Sequence, residues 1–177
     1  MTSNQAEELA TYILLGMTAV TGLVDAVSFL SLGRVFTANM TGNVVLLGFA
    51  TARVPGLSVT RSLTALVSFL AGAVLGGRIM ARAGSDSHFR FAAQVFLLEV
   101  VLLTAASLCG IGYKGNVMEP SVQPLALIAL TAVAMGARNA AVRKLAIPDL
   151  TTTVLTLTLT GIAADSSLAK GLSLLHI

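Results

Sequence analysis

Long uncharged runs divide this chain. No charged residue falls between Glu8 and Asp25, Arg34 and Arg53, Arg61 and Arg78, Glu99 and Lys114, Glu119 and Arg138, or Asp149 and Asp165. A helix crossing the hydrocarbon core of a bilayer needs about 20 largely apolar residues. The runs therefore predict six hydrophobic segments: Thr11–Leu32, Phe36–Val54, Ser62–Arg82, Phe91–Tyr113, Val122–Val142 and Leu150–Leu168. Turn-forming residues join them at Pro55-Gly56, Ala83-Gly84-Ser85-Asp86, Lys114-Gly115-Asn116 and Ile147-Pro148-Asp149. The sixth segment is short and reads as a tilted helix, a re-entrant element or half of an incomplete pair. Threonine and leucine alternate from Thr156 to Thr160, the period of a strand. An unpaired strand would strand its backbone groups in lipid, so a helix is expected there too.

Composition closes off the other classes. The 177 residues are 55% hydrophobic and 11% charged, where a soluble domain carries about 25% charged residues. Mean hydropathy is +0.88, which excludes a disordered chain. The single cysteine, Cys109, excludes an intrachain disulfide and a cysteine-based zinc site. The basic residues punctuate apolar runs instead of clustering, so no nucleic-acid partner is expected. The flank Ser3-Asn4-Gln5-Ala6-Glu7-Glu8 is acidic, unlike a signal-peptide n-region. The expected fold is all-α: one integral membrane domain over residues 1–177, a polytopic transmembrane helical bundle of about six segments.

With six spans, one face receives seven basic residues: Arg34, Arg78, Arg82, Arg90, Arg138, Arg143 and Lys144. The other receives four: Arg53, Arg61, Lys114 and Lys170. By the positive-inside rule this favours an extracytoplasmic N-terminus, by a narrow margin.

A shift of 114 residues lays Gly22-Leu23-Val24-Asp25-Ala26 over Gly136-Ala137-Arg138-Asn139-Ala140, and Asn39 over Thr153. With six spans, such a displacement keeps orientation and would be a parallel internal repeat. Polar residues also fall on stripes. Thr18, Thr21, Asp25 and Ser28 share one face of the first helix, and Asn39, Gly42, Asn43 and Ala50 one face of the second. Asp149, Thr152, Thr153, Thr156 and Thr160 share a face of the sixth. Threonines in such stripes ordinarily bond the preceding turn or a neighbouring helix. Asn39 and Asn43 fit interhelical hydrogen bonding as well as ligand contact, and Thr41-Gly42-Asn43 fits a local helix break.

Asp25 carries more weight, because a carboxylate in hydrocarbon must be paired, protonated or hydrated. Arg138 and Arg143 are its expected partners, and a position near the membrane surface is the bland alternative. Glu99 poses the same question. Gly72 and Gly76 form a GxxxG pair expected to admit another helix at close range, within the chain or in a second copy. His88 and His176 have no partner at ligand spacing, so no metal is expected.

These residues support a resemblance. The runs Gly22-Leu23-Val24-Asp25-Ala26-Val27-Ser28-Phe29 and Gly33-Arg34-Val35-Phe36-Thr37-Ala38-Asn39-Met40-Thr41-Gly42-Asn43 resemble the signature of the YoaK family. So do Ala134–Arg143 and Thr153–Asp165, and the likeness extends from Leu14 to Asp165. That family comprises small bacterial integral membrane proteins without an established activity. Its members continue beyond the equivalent of Asp165, so the resemblance implies a C-terminally short copy here. It also implies a multi-pass protein of the bacterial cytoplasmic (inner) membrane.

Two functions follow as expectations. The first is a small-solute or ion permease, with Asp25, Asn39, Asn43, Arg138, Asn139, Thr153 and Thr156 lining a polar site between helices one, two, five and six. The alternative is a non-transporting scaffold or assembly protein. An enzyme is not expected: the membrane segments hold no histidine, and neither a nucleotide motif nor an activated nucleophile is present. No cofactor is expected, and the partners are the lipid bilayer, an unknown small solute or ion, and a second copy in a homo-oligomer.

Overall fold

The computed structural model describes residues 3–82, 88–113 and 122–144. They form five helices: α1 (Ser3–Ser31), α2 (Met40–Thr51), α3 (Val59–Ala81), α4 (His88–Cys109) and α5 (Val122–Lys144), with no strand among the described residues. Segments one, three, four and five agree with the hydrophobic pattern to within a few residues, apart from the longer N-terminal end of α1. The sixth segment, with Thr153 and Thr156, lies outside the described residues. Three of the helices, α3, α4 and α5, are long and apolar enough to cross a bilayer. Pro124 sits in the first turn of α5, where its missing N–H breaks no helical bond.

Close packing of α3 on α5 organises the bundle. A side chain at Gly72 would collide with the backbone of Val133, one at Gly76 with Ala137, and one at Gly136 with Phe69. Small residues on both helices therefore let the two backbones touch, the arrangement GxxxG spacing permits. Gly72 pairs with Val133 and Gly76 with Ala137, so the two helices run parallel. Helix α4 runs the other way: Glu99 bonds Arg138, while Ala106 clusters with Leu127.

Helix α1 follows α4. Thr21 bonds Arg138, Val24 packs with Met135, and Leu32 clusters with Leu127. Helix α1 is thus antiparallel to α5, and its C-terminal end lies beside the N-terminal ends of α3 and α5. A hydrogen bond of 3.0 Å from the Tyr113 hydroxyl to the Ser31 carbonyl ties this end to the end of α4.

The second segment departs from expectation. Helix α1 closes with Gly33 at φ +90° and a 3.0 Å bond from the Arg34 N–H to the Phe29 carbonyl, a Schellman closure that reverses the chain. Residues 32–39 then climb back without helix. Ala38 and Met40 reach the level of Phe69, Ala132 and Met135, halfway along α3 and α5. From there α2 descends for 12 residues, about 18 Å at 1.5 Å per residue. Its end joins the start of α3, with Gly56 set against the Arg34 guanidinium.

This segment enters and leaves on one side of the bundle, so α2 is a re-entrant half-helix and not a second span. Two expectations fall with it. Arg34 shares an end with Arg53 and Arg61, not with Arg78, which removes the basis of the extracytoplasmic N-terminus. The Gly22 and Gly136 runs point in opposite directions, so they are not parallel copies. An uncharged run of this length satisfies a span and a hairpin equally, which is why hydropathy could not separate them.

Candidate functional site

Non-helical backbone at membrane depth survives only where protein satisfies its polar groups. Residues 35–38 are buried or nearly so, and Val35 and Thr37 are fully buried. Asp25, on α1 at mid-height, supplies most of what they need. Its Oδ1 accepts the backbone N–H groups of Thr37 and Ala38, each at 2.8 Å, and its Oδ2 accepts that of Asn39 at 2.9 Å. Three N–H groups converging on one carboxylate at a helix start make an anion site, here filled from within the chain.

The asparagines complete the frame. Asn39 is the N-cap of α2, its side-chain oxygen accepting the Gly42 N–H at 3.2 Å. Asn43 is fully buried and clasps the backbone of Phe36 from both sides. It accepts the Phe36 N–H at 2.9 Å and donates to the Phe36 carbonyl at 2.6 Å. The Phe36 ring stacks on Phe29 with centroids 5.1 Å apart. A Cβ on Gly42 would fall 2.6 Å from that ring, so any other residue would have to displace it from its stack on Phe29. Asp25, Asn39 and Asn43 are thus brought together, bound to the chain's own backbone.

Arg138 is placed elsewhere. Its guanidinium forms a 2.8 Å ion pair with Glu99 of α4. It also donates to the Thr21 hydroxyl of α1 and lies 3.4 Å from the Met135 sulfur. The expected partnership of Asp25 with Arg138 is corrected: the end of α5 and the end of α1 lie at opposite ends of the bundle, and Arg138 finds Glu99 first. Thr21 and Asp25 stand one turn apart on α1, so the ion pair lies one turn beyond the turn-holding carboxylate. Asn139 donates to the Met135 carbonyl at 2.8 Å, one turn back on its own helix. Thr153 and Thr156 lie outside the described residues.

Glu99, Thr21 and Ser28 stand out in the sequence as polar residues within apolar runs but without an evident partner, and nothing in the pattern marks Thr37 or Tyr113. A pairing across 39 residues, as between Glu99 and Arg138, leaves no local spacing to read. Gly33 followed by the N-cap Asn39 was the available signal for the re-entrant turn. Among the described residues no group of histidine, cysteine and acidic side chains could hold a metal ion.

The comparisons agree with this picture of a membrane chain. The family described as "Protein of unknown function (DUF1275)" matches residues 13–173. Over 146 residues the chain is 37% identical to the UPF0700 transmembrane protein YoaK of Bacillus subtilis (strain 168), covering 82% of this chain and 62% of that protein. The chain therefore spans somewhat under two thirds of the relative's length. No solved structure matches it. The motif around Asp25 and the re-entrant turn lie inside the matched family region, and the chain belongs to this YoaK-type family of transmembrane proteins of unknown function.

Proposed function

We propose that the protein is a small-solute or ion permease of the bacterial cytoplasmic membrane. The observation that carries this reading is the half-helix α2, whose N-terminus stands at mid-depth on Asp25, one turn from the buried pair Glu99–Arg138. Discontinuous helices that end near the midplane are where secondary carriers hold substrates and coupling ions. Buried ionisable residues inside membrane bundles mark such paths. The opposed directions of α1 and α5 make the Gly22 and Gly136 runs candidates for an inverted repeat, a symmetry found in many carriers. In this reading Asp25, Asn39 and Asn43 frame the site, Glu99 and Arg138 are its charged centre, and Asn139 adds a neutral side chain. Arg78, Arg82, Arg90, Arg143 and Lys144 lie at the end opposite Arg34, Arg53 and Arg61, and by the positive-inside rule this bias supports a cytoplasmic N-terminus in this reading.

The second reading is a non-transporting scaffold. One observation favours it: the Asp25 carboxylate, the Asn39 Oδ1 and the Asn43 amide are bonded to the chain's own backbone. Proteoliposomes with a trapped pH-sensitive dye, challenged with small solutes and with proton, sodium and potassium gradients, separate the two. The permease reading expects flux above that of empty vesicles, lost in the double variant Glu99→Gln/Arg138→Met, which removes both charges at similar volume. Dye traces equal to those of empty vesicles for every challenge would support the scaffold.

A further inference from the structure

Arg138 and Glu99 share one hydrogen bond, Nη1 to Oε1 at 2.8 Å, where an arginine and a carboxylate frequently pair through two. The second guanidinium nitrogen, Nη2, has neutral company, the Thr21 hydroxyl and the Met135 sulfur. On the carboxylate, Oε2 takes no hydrogen bond among the described residues. Nor is the pair sealed: 7% of the Arg138 side chain and 10% of that of Glu99 remain accessible.

The other charged groups nearby are committed or distant. Asp25, one turn along α1, has both oxygens engaged by the N–H groups of Thr37, Ala38 and Asn39. Helix α2 carries no charge, and α3 has Arg61 and Arg78 toward its ends. The rest of α1, α4 and α5 carries Glu7, Glu8, His88, Arg90, Arg143 and Lys144, all toward helix ends.

Of the two paired charges, one is permanent. A guanidinium stays protonated in proteins, so only Glu99 can change state. A proton on Glu99 leaves the Arg138 charge buried and uncompensated, a costly arrangement. An incoming anion relieves it, and an incoming cation aggravates it.

We infer that the pair is a proton-coupled anion site, where a proton on Glu99 and a small monocarboxylate on Arg138 bind together. The proton settles on Oε2, the Nη1–Oε1 bond opens, and the ligand's carboxylate takes the place at Nη1. No covalent bond in the protein breaks, and the site is neutral before and after. A carboxylate is the favoured class because a carboxylate already occupies that place. Symport of proton and anion through the site rests on the permease reading, whereas the coupled binding does not.

Titration calorimetry of the full chain in detergent tests the coupling, with pyruvate as the probe because it stays ionised from about pH 5 to about pH 8. Wild-type affinity should rise by up to about tenfold for each unit of falling pH, the slope of one proton taken up per anion bound. In Glu99→Gln that slope should vanish. Pyruvate should bind this variant more tightly than wild type at the upper pH and raise its thermal midpoint. The double variant Glu99→Gln/Arg138→Met should not bind it. Wild-type affinity that is flat with pH, no tighter binding by Glu99→Gln, or binding retained in the double variant would each overturn the proposal. Absence of binding by wild type and Glu99→Gln would overturn it too, even if vesicles carry cations or neutral solutes. Coupled binding without pyruvate uptake into vesicles would overturn the permease reading instead and uphold the site.

Discussion

Asp25 and Asn39 stand 14 residues apart in sequence, yet the carboxylate of the first accepts the backbone N–H of the second at 2.9 Å. That bond, with those to Thr37 and Ala38, sets the depth at which α2 begins.

Replacing this carboxylate should damage the fold before it reports on function. In Asp25→Asn one oxygen survives for Thr37 and Ala38, but the amide nitrogen faces the N–H of Asn39. A loss of about 2–3 kcal/mol is expected, from one unsatisfied buried donor and the weakening of two charge-assisted bonds. Thermal unfolding in detergent should show a lower midpoint for Asp25→Asn than for wild type. An unchanged midpoint would mean that the turn does not depend on the carboxylate.

Asn43 allows a finer test of the same turn. Asn43→Asp accepts from the Phe36 N–H and, when protonated, still donates its O–H to the Phe36 carbonyl, whereas Asn43→Ala does neither. Stability should fall in the order wild type, Asp, Ala if the aspartate is protonated on entry, with Ala lower by about 2–4 kcal/mol. Equal stability of Asn43→Ala and wild type would contradict the two-sided clasp.

The glycines should divide sharply. Gly136→Ala sets a methyl against the Phe69 carbonyl, and overpacking of this kind costs about 1–3 kcal/mol. Gly22 and Gly48 have open space where a Cβ would go, so alanine there should stabilise by up to about 1 kcal/mol through helix propensity. Gly76→Leu should destabilise more than Leu75→Ala, since Leu75 is exposed. Thermal midpoints in one detergent rank all five variants. If Gly136→Ala and Gly22→Ala shift the midpoint alike, the close approach of α3 and α5 is wrong.

The ion pair should be non-additive. Glu99→Gln alone leaves the Arg138 charge buried and uncompensated, at a cost of about 3–5 kcal/mol. Adding Arg138→Met should recover most of that loss, because a neutral pair of similar volume replaces two desolvated charges. A double variant no more stable than the single would mean that Arg138 is held by something other than Glu99.

Hydropathy made four of the described helices legible because each is a long apolar run, and long runs in lipid have few options besides helix. It also singled out Gly72 and Gly76 from their spacing. The second segment was misread as a crossing because composition records that residues 36–54 avoid water, not whether the chain turns back. The pattern marks Asp25 as costly in lipid and offers arginines as its partners, whereas the structure gives it backbone N–H groups. Backbone N–H groups carry no sequence identity, so a carboxylate that bonds three of them leaves nothing to match along the chain. Glu99 and Arg138 were both visible, but their pairing depends on the direction of α4 against α5, which the re-entrant turn alters.

The re-entrant course of residues 32–54 is the central claim, and labelling from either side of the membrane tests it most directly. Cys109 is the only cysteine, so Cys109→Ser gives a background into which single cysteines can be placed at Arg34, Pro55 and Arg82. Right-side-out and inverted vesicles are then treated with an impermeant maleimide. The structure predicts that Arg34→Cys and Pro55→Cys label from one side and Arg82→Cys from the other. Labelling of Arg34→Cys and Pro55→Cys from opposite sides would make the second segment a true span and contradict the account.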